Sequence, residues 1–132
     1  MKPGNGKTHI AESLEKSTKN GKLNCHFIQV SCSDILSKWH GESENRIRNL
    51  FESCRKSDKP VILFFDEIDS ICRTRCDSED ETSRRVKNEF LLQMEKTGEN
   101  SLFYLVCTSN LPWQIDEAVL RRYLPIFLFI YI

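Results

Sequence analysis

Residues 61–65, Val-Ile-Leu-Phe-Phe, form an apolar run that ends abruptly in Asp66-Glu67-Ile68-Asp69. Five consecutive apolar side chains leave no polar face, so as a strand the segment is buried on both sides, as in a parallel sheet covered by helices above and below. Parallel neighbours need crossover connections, so helices must lie between the strands. The flanking sequence supplies them. Residues 8–19 carry Ile10, Ala11 and Leu14 at helical spacing and stop at Asn20-Gly21, a pair suited to the left-handed conformation that ends many helices. Residues 25–30 read as a short strand. Ser43 is a candidate helix cap, followed by Ile47, Leu50, Phe51 and Cys54 at i, i+3, i+4 and i+7, with Pro60 beyond the helix end. Residues 82–96 give a third helix with Val86, Phe90, Leu91 and Met94 inward, and 101–107 a further buried strand. This alternation predicts an α/β layered sheet. No repeat, low-complexity stretch or long linker divides the 132 residues.

Composition narrows the function classes. Nineteen basic residues balance nineteen acidic ones, so no overall field draws the chain to nucleic acid or to an anionic membrane. The N-terminal Met-Lys-Pro-Gly-Asn-Gly has no apolar run after its charge and does not read as a signal peptide. The six cysteines sit in apolar or helical contexts, which favours reduced thiols and a cytoplasmic setting. Cys72 and Cys76 lack a second ligand pair at zinc spacing. The apolar segment 123–132 is half the roughly 20 residues that span a bilayer, so it reads as a strand or an abnormal terminus.

Pro3-Gly4-Asn5-Gly6-Lys7-Thr8 opens the first helix and matches the latter part of G-x-x-x-x-G-K-[ST]. Glycines there let successive backbone N–H groups converge on a phosphate beside a helix N-terminus. Lys7 would reach the outer phosphate oxygens and the Thr8 hydroxyl would serve a Mg²⁺ ion. A glycine turn with a solvent-facing lysine fits the same residues taken alone. The first glycine of the motif would fall at Met1, with no strand before it, and this departure predicts weakened nucleotide binding and an open slot in the sheet.

Asp66 and Glu67 stand at the carboxyl end of the buried strand, where α/β sheets bind ligands. Asp66 would hold the Mg²⁺ shell and Glu67 would orient or deprotonate the attacking water, although acidic residues at a strand end also cap turns. Asn110, after the strand ending at Cys107, is placed to hold that water, and a strand-terminal Asn is equally a turn former. Trp39, between polar residues and away from any apolar stripe, reads either as a contact residue or as a ring folded onto the local surface.

The chain resembles the AAA ATPases, in the clade that holds katanin, spastin and the vacuolar-sorting ATPase that dismantles ESCRT-III filaments. The resemblance runs from Pro3 to Tyr123 and rests on Ser37-Lys38-Trp39-His40-Gly41-Glu42-Ser43-Glu44, Phe65-Asp66-Glu67-Ile68-Asp69, Ser83-Arg84-Arg85-Val86-Lys87, Asn110-Leu111-Pro112-Trp113-Gln114-Ile115-Asp116 and Leu120-Arg121-Arg122. It implies a P-loop NTPase three-layer sandwich with a mainly parallel sheet, and a ring, usually a hexamer, that uses ATP and Mg²⁺ to remodel protein filaments. Within that pattern Pro3, Gly4, Asn5, Gly6, Lys7, Thr8 and Asp66 bind nucleotide, with Thr8 and Asp66 also at the metal. Glu67 and Asn110 serve hydrolysis, and Arg121 and Arg122 match arginines that reach into a neighbour's site. Lys38, Trp39 and His40 match a first pore loop, and 73–83 a second.

The wording of the motifs leans towards ESCRT-III-type filaments over tubulin, hence a cytoplasmic protein recruited to endosomal membranes that it touches only indirectly. The family's first strand and small helical subdomain have no counterpart here, and residues 124–132 depart from its pattern. The expectation is therefore that 1–132 is part of a large AAA subdomain from a longer ATPase. The alternatives are a katanin-like severing ATPase or a truncated, non-catalytic module that docks onto full-length subunits.

Overall fold

A strand buried on both faces needs a neighbour on each edge and a helical layer on each side, and Val61–Asp66 (β2) has them. In a computed structural model of the chain, which describes residues 6–38, 41–74, 80–97, 102–122 and 127–131 (Arg122 and 127–131 as backbone), β2 pairs in parallel with His26–Ser31 (β1) and with Phe103–Ser109 (β3). Phe127–Tyr131 (β4) adds in parallel to the far edge of β3, giving the order β1-β2-β3-β4. Residues 127–131 of the apolar segment thus form an edge strand of the described sheet. No described helix is long and apolar enough to cross a membrane.

Lys7–Lys19 (α1) covers one face, where Ala11 packs with Phe64 and Val106 and is flanked by Leu14, Phe27 and Ile62. Its end follows the sequence: Asn20 donates back to the Lys16 carbonyl at 2.9 Å and Gly21 takes φ +70°. Ser43–Arg55 (α3) and Glu81–Thr97 (α4) cover the opposite face, over the larger core. Its centre is aromatic. Phe51 lies 5.7–5.8 Å from the rings of Phe65, Phe90 and Phe103, and Phe65 meets Phe90 edge-on at 5.1 Å. Each buried ring contributes about 1.5–3 kcal/mol of transfer free energy. The edge-on contacts add roughly 0.5–1.5 kcal/mol per pair.

A polar seam runs beside this core. Arg48 on α3 grips the buried carboxylate of Glu89 on α4 with two bonds, 3.0 and 3.2 Å, while Gln93 donates to Glu89 at 2.7 Å and Arg55 donates to Gln93 at 2.7 Å. The bidentate fork aligns the two helices as well as pairing their charges.

Two features differ from the sequence reading. Ser43 does not cap α3: the residue before the helix is Glu42, with no side-chain cap, and the buried Ser43 hydroxyl instead donates to the Ile35 carbonyl at 3.0 Å. It is drawn inward because Cys32–Lys38 (α2), a helix too short to show a period in sequence, packs Cys32 and Ile35 into the core and offers its free carbonyl. The strand read at 25–30 lies at His26–Ser31 and that at 101–107 at Phe103–Ser109, small shifts at ends set by pairing with β2.

Candidate active site

In a parallel sheet all strands deliver their C-terminal residues to one edge. β2 ends there with Asp66 and β3 with Thr108 and Ser109. Side chains alternate, so Asp66 emerges on the face of Phe64, and Thr108 on the face of Val106, the face that α1 covers. The Thr108 hydroxyl donates to Asp66 Oδ1 and accepts the Glu67 N–H at 3.2 Å. Glu67 itself adopts φ 58°, ψ 50°, the left-handed region. A non-glycine residue there costs about 1–2 kcal/mol. It swings the chain off the strand axis into a 3₁₀ turn at Ile68–Ser70.

That turn carries Asp69 back beneath β3. Its carboxylate, 5% exposed as a residue, accepts from Ser109 Oγ at 2.8 Å and from the Asn110 N–H at 3.1 Å. Asp66, Glu67 and Asn110, expected to act together, therefore stand at one edge, with Glu67 half-buried and Asn110 exposed. Beneath them Cys32, Cys72 and Cys107 are buried thiols, and burial first, then neighbouring thiols, pushes Cys32 and Cys72 well above their ordinary range.

The helix that the glycine-lysine-threonine opens, α1, packs on the sheet face from which Asp66 and Thr108 emerge. Ala11, one turn into the helix, touches the cluster of Phe64 and Val106, each two residues short of Asp66 and Thr108. Gly6 precedes the helix at φ 84°, and a Cβ placed there would meet nothing within 4 Å. No side chain caps α1, and its first helical bond is Ile10 N–H to Gly6 O at 2.9 Å, so the N–H groups of Lys7, Thr8 and His9 precede the ladder. Lys7 and Thr8 make no side-chain bond to a described residue. This uncapped, left-handed glycine entry fits a phosphate, and the oxygens of Thr8 and Asp66 suit Mg²⁺, which keeps most of its shell for water and phosphate. Pro3, Gly4 and Asn5 lie outside the described residues.

The remaining candidates stand apart from this cluster. Arg121 is on Glu117–Arg122 (α5), its side chain 74% exposed and 3.2 Å from Glu117. Arg122 is on the same helix. Lys38 closes α2 and pairs with Asp34 at 3.2 Å, whereas Trp39 and His40 lie outside the described residues. The segment 73–83 is not loop throughout: α4 starts at Glu81, and Arg73 and Thr74 are tied to the turn before α5, Arg73 bridging Ile115 and Thr74 N–H donating to Gln114 O at 2.7 Å.

Sequence reading gave no role of their own to Thr108, Ser109, Asp69 or Lys87, all four buried in the structure. The signals were present: a Thr-Ser pair closing an apolar strand, and a lysine three residues before Phe90 and seven before Met94, on the inward stripe.

The sequence profile of the ATPase family associated with various cellular activities (AAA) matches residues 2–131. The chain is 44% identical over 122 residues to human vacuolar protein sorting-associated protein 4A, covering 92% of this chain and 27% of the relative. It is 41% identical over 122 residues to vacuolar protein sorting-associated protein 4 of Dictyostelium discoideum, covering 92% and 26% respectively. To a probable spastin homolog, spas-1, of Caenorhabditis briggsae it is 40% identical over 123 residues, covering 92% and 22%. The chain thus spans about a quarter of the length of these relatives.

Proposed function

The chain belongs to the AAA family of ATPases, and from that premise we propose that the complete protein binds Mg-ATP at this edge and hydrolyses it to disassemble protein filaments of the ESCRT-III type. One observation carries the reading: Asp66, Glu67 and Asn110 share the carboxyl edge of a sheet that α1, uncapped at its N-terminus, covers on one face. The nucleotide supplies the phosphoanhydride bond that is cleaved. The residues supply the rest. Backbone N–H groups at the start of α1 bind phosphate oxygens, and Lys7 neutralises them. Thr8 and Asp66 hold the Mg²⁺, and Glu67 takes the proton of the attacking water while Asn110 orients it. Thr108, bonded to both Asp66 and the Glu67 backbone, keeps the two carboxylates in register.

Ring assembly, usually hexameric, follows as part of the proposal. Arg121 and Arg122 on α5 would act on a neighbour's bound nucleotide, where positive charge favours phosphoryl transfer. The exposure of Arg121 supports that role. Lys38, Trp39 and His40 would grip the polypeptide being threaded, so Trp39→Ala should spare nucleotide binding and abolish remodelling. Relatives named for vacuolar protein sorting support an endosomal filament over tubulin, and with it a cytoplasmic protein recruited to endosomes.

Calorimetry with Mg-ATP tests the site. Binding that Lys7→Ala abolishes, and that Glu67→Gln retains while turnover stops, is the expected result. Binding indifferent to Lys7→Ala would overturn the reading.

A further inference from the structure

Asn110 has no strand or helix to hold it: it is the first residue past β3, exposed, at the start of an irregular turn. What fixes it comes from elsewhere in the chain. One Asp69 carboxylate oxygen accepts both Ser109 Oγ (2.8 Å) and Asn110 N–H (3.1 Å), and Ser109 Oγ in turn accepts the Leu111 N–H at 3.0 Å. The peptide groups before and after Asn110 are therefore both committed, through one buried carboxylate. Asp69 is itself held at its main chain, where Arg73 Nε donates to its carbonyl at 3.1 Å, and by the 3₁₀ turn that begins after left-handed Glu67. Glu67 and Asn110 are thus joined through Ile68 and Asp69, whose carboxylate accepts the Asn110 N–H directly and the neighbouring Ser109 hydroxyl, and a charged acceptor makes stronger hydrogen bonds than a neutral one.

We infer that Asp69 is the positioning residue for Asn110, setting its distance from Glu67 while lying beneath both. The inference rests on the reading above, in which Asn110 orients the attacking water. A displacement of about 1 Å in such a group costs on the order of 100-fold in rate. Asp69 therefore governs turnover and leaves affinity unchanged.

The test is a double-mutant cycle on Mg-ATP turnover in the complete protein, with kcat and KM measured separately. Asp69→Ala and Asn110→Ala should each lower kcat on the order of 100-fold at unchanged KM. The double variant should be no slower than either, because Asp69 acts only through Asn110. Asp69→Asn, which keeps an acceptor oxygen, should restore most of the rate. Multiplying losses in the double variant, or a raised KM with kcat intact, overturns the inference while leaving the ATPase reading standing. If Asp69→Ala does not fold, Ser109→Ala removes the 2.8 Å link and takes its place in the same cycle. A parent protein that binds Mg-ATP without turnover overturns the ATPase reading, and this inference with it.

Discussion

Lys87 Nζ lies 3.5 Å from Asp116 Oδ2 and donates to the Arg73 carbonyl at 3.1 Å, with its side chain 1% exposed. A buried ammonium therefore ties α4 to the segment after the acidic edge and to the turn that opens α5, where Asp116 also accepts the Ala118 N–H at 2.9 Å. Losing either charge should not cost the same. Asp116→Ala removes a carboxylate paired with a buried lysine, together with the α5 cap, and should cost about 3–5 kcal/mol. Lys87→Met leaves a half-buried carboxylate that water can reach and should cost about 1–3 kcal/mol. Urea denaturation of both variants checks the order, and equal losses would rule out the buried-charge account.

Thr108→Val keeps the shape of the side chain and removes the hydroxyl that joins Asp66 to the Glu67 backbone. The expected outcome is a fall in turnover of roughly 10- to 100-fold. Mg-ATP affinity should stay close to that of the parent, and Thr108→Ser should recover the rate. Steady-state kinetics beside calorimetry separates the two effects.

The α3–α4 seam should make the fold acid-sensitive. Hydrogen bonds from Arg48 first, then Gln93, hold the Glu89 carboxyl below its ordinary value of 4.5, against the opposing effect of its burial. A depressed carboxylate stabilises the fold fully above its unfolded-state value. That stabilisation is lost as pH falls from about 4.5 through the lower folded-state value. The denaturation midpoint should therefore drop more steeply below pH 4.5 in the parent than in Glu89→Gln. Parallel pH profiles would exclude Glu89 as the source.

Thiol chemistry should follow burial. Cys32 and Cys72 are raised well above 9.0 by desolvation, and Cys54 is pushed up to about 11 by the same cause. Cys25 is only half-buried. With iodoacetamide at pH 8, Cys25 should be modified before the other described cysteines, and Cys32, Cys54 and Cys72 only on unfolding, because the thiolate is the nucleophile. Mass spectrometry of peptides at timed intervals checks the order.

Phe51 contacts three other buried rings, and Phe51→Ala should cost about 3–5 kcal/mol. That is a large part of the stability of a domain this size, so a thermal melt should show loss of the cooperative transition or a markedly lower Tm.

Local chemistry is legible residue by residue. The apolar run at 61–65, the helical spacing of Ile47, Leu50, Phe51 and Cys54, and the glycine-lysine-threonine before α1 each state their element, because periodicity and backbone freedom act within a few neighbours. So the parallel α/β sheet, and the meeting of Asp66, Glu67 and Asn110 at one edge of it, could be read from the sequence. The inward turn of Ser43, the seating of Lys87 against Asp116, and the paired bonds from Thr108 to Asp66 and from Asp69 to Ser109 and Asn110 could not. Each joins residues that are 8 to 42 positions apart. Which buried polar group finds which partner depends on strand register and helix packing, and these are fixed only when the sheet and its two helical layers close on one another.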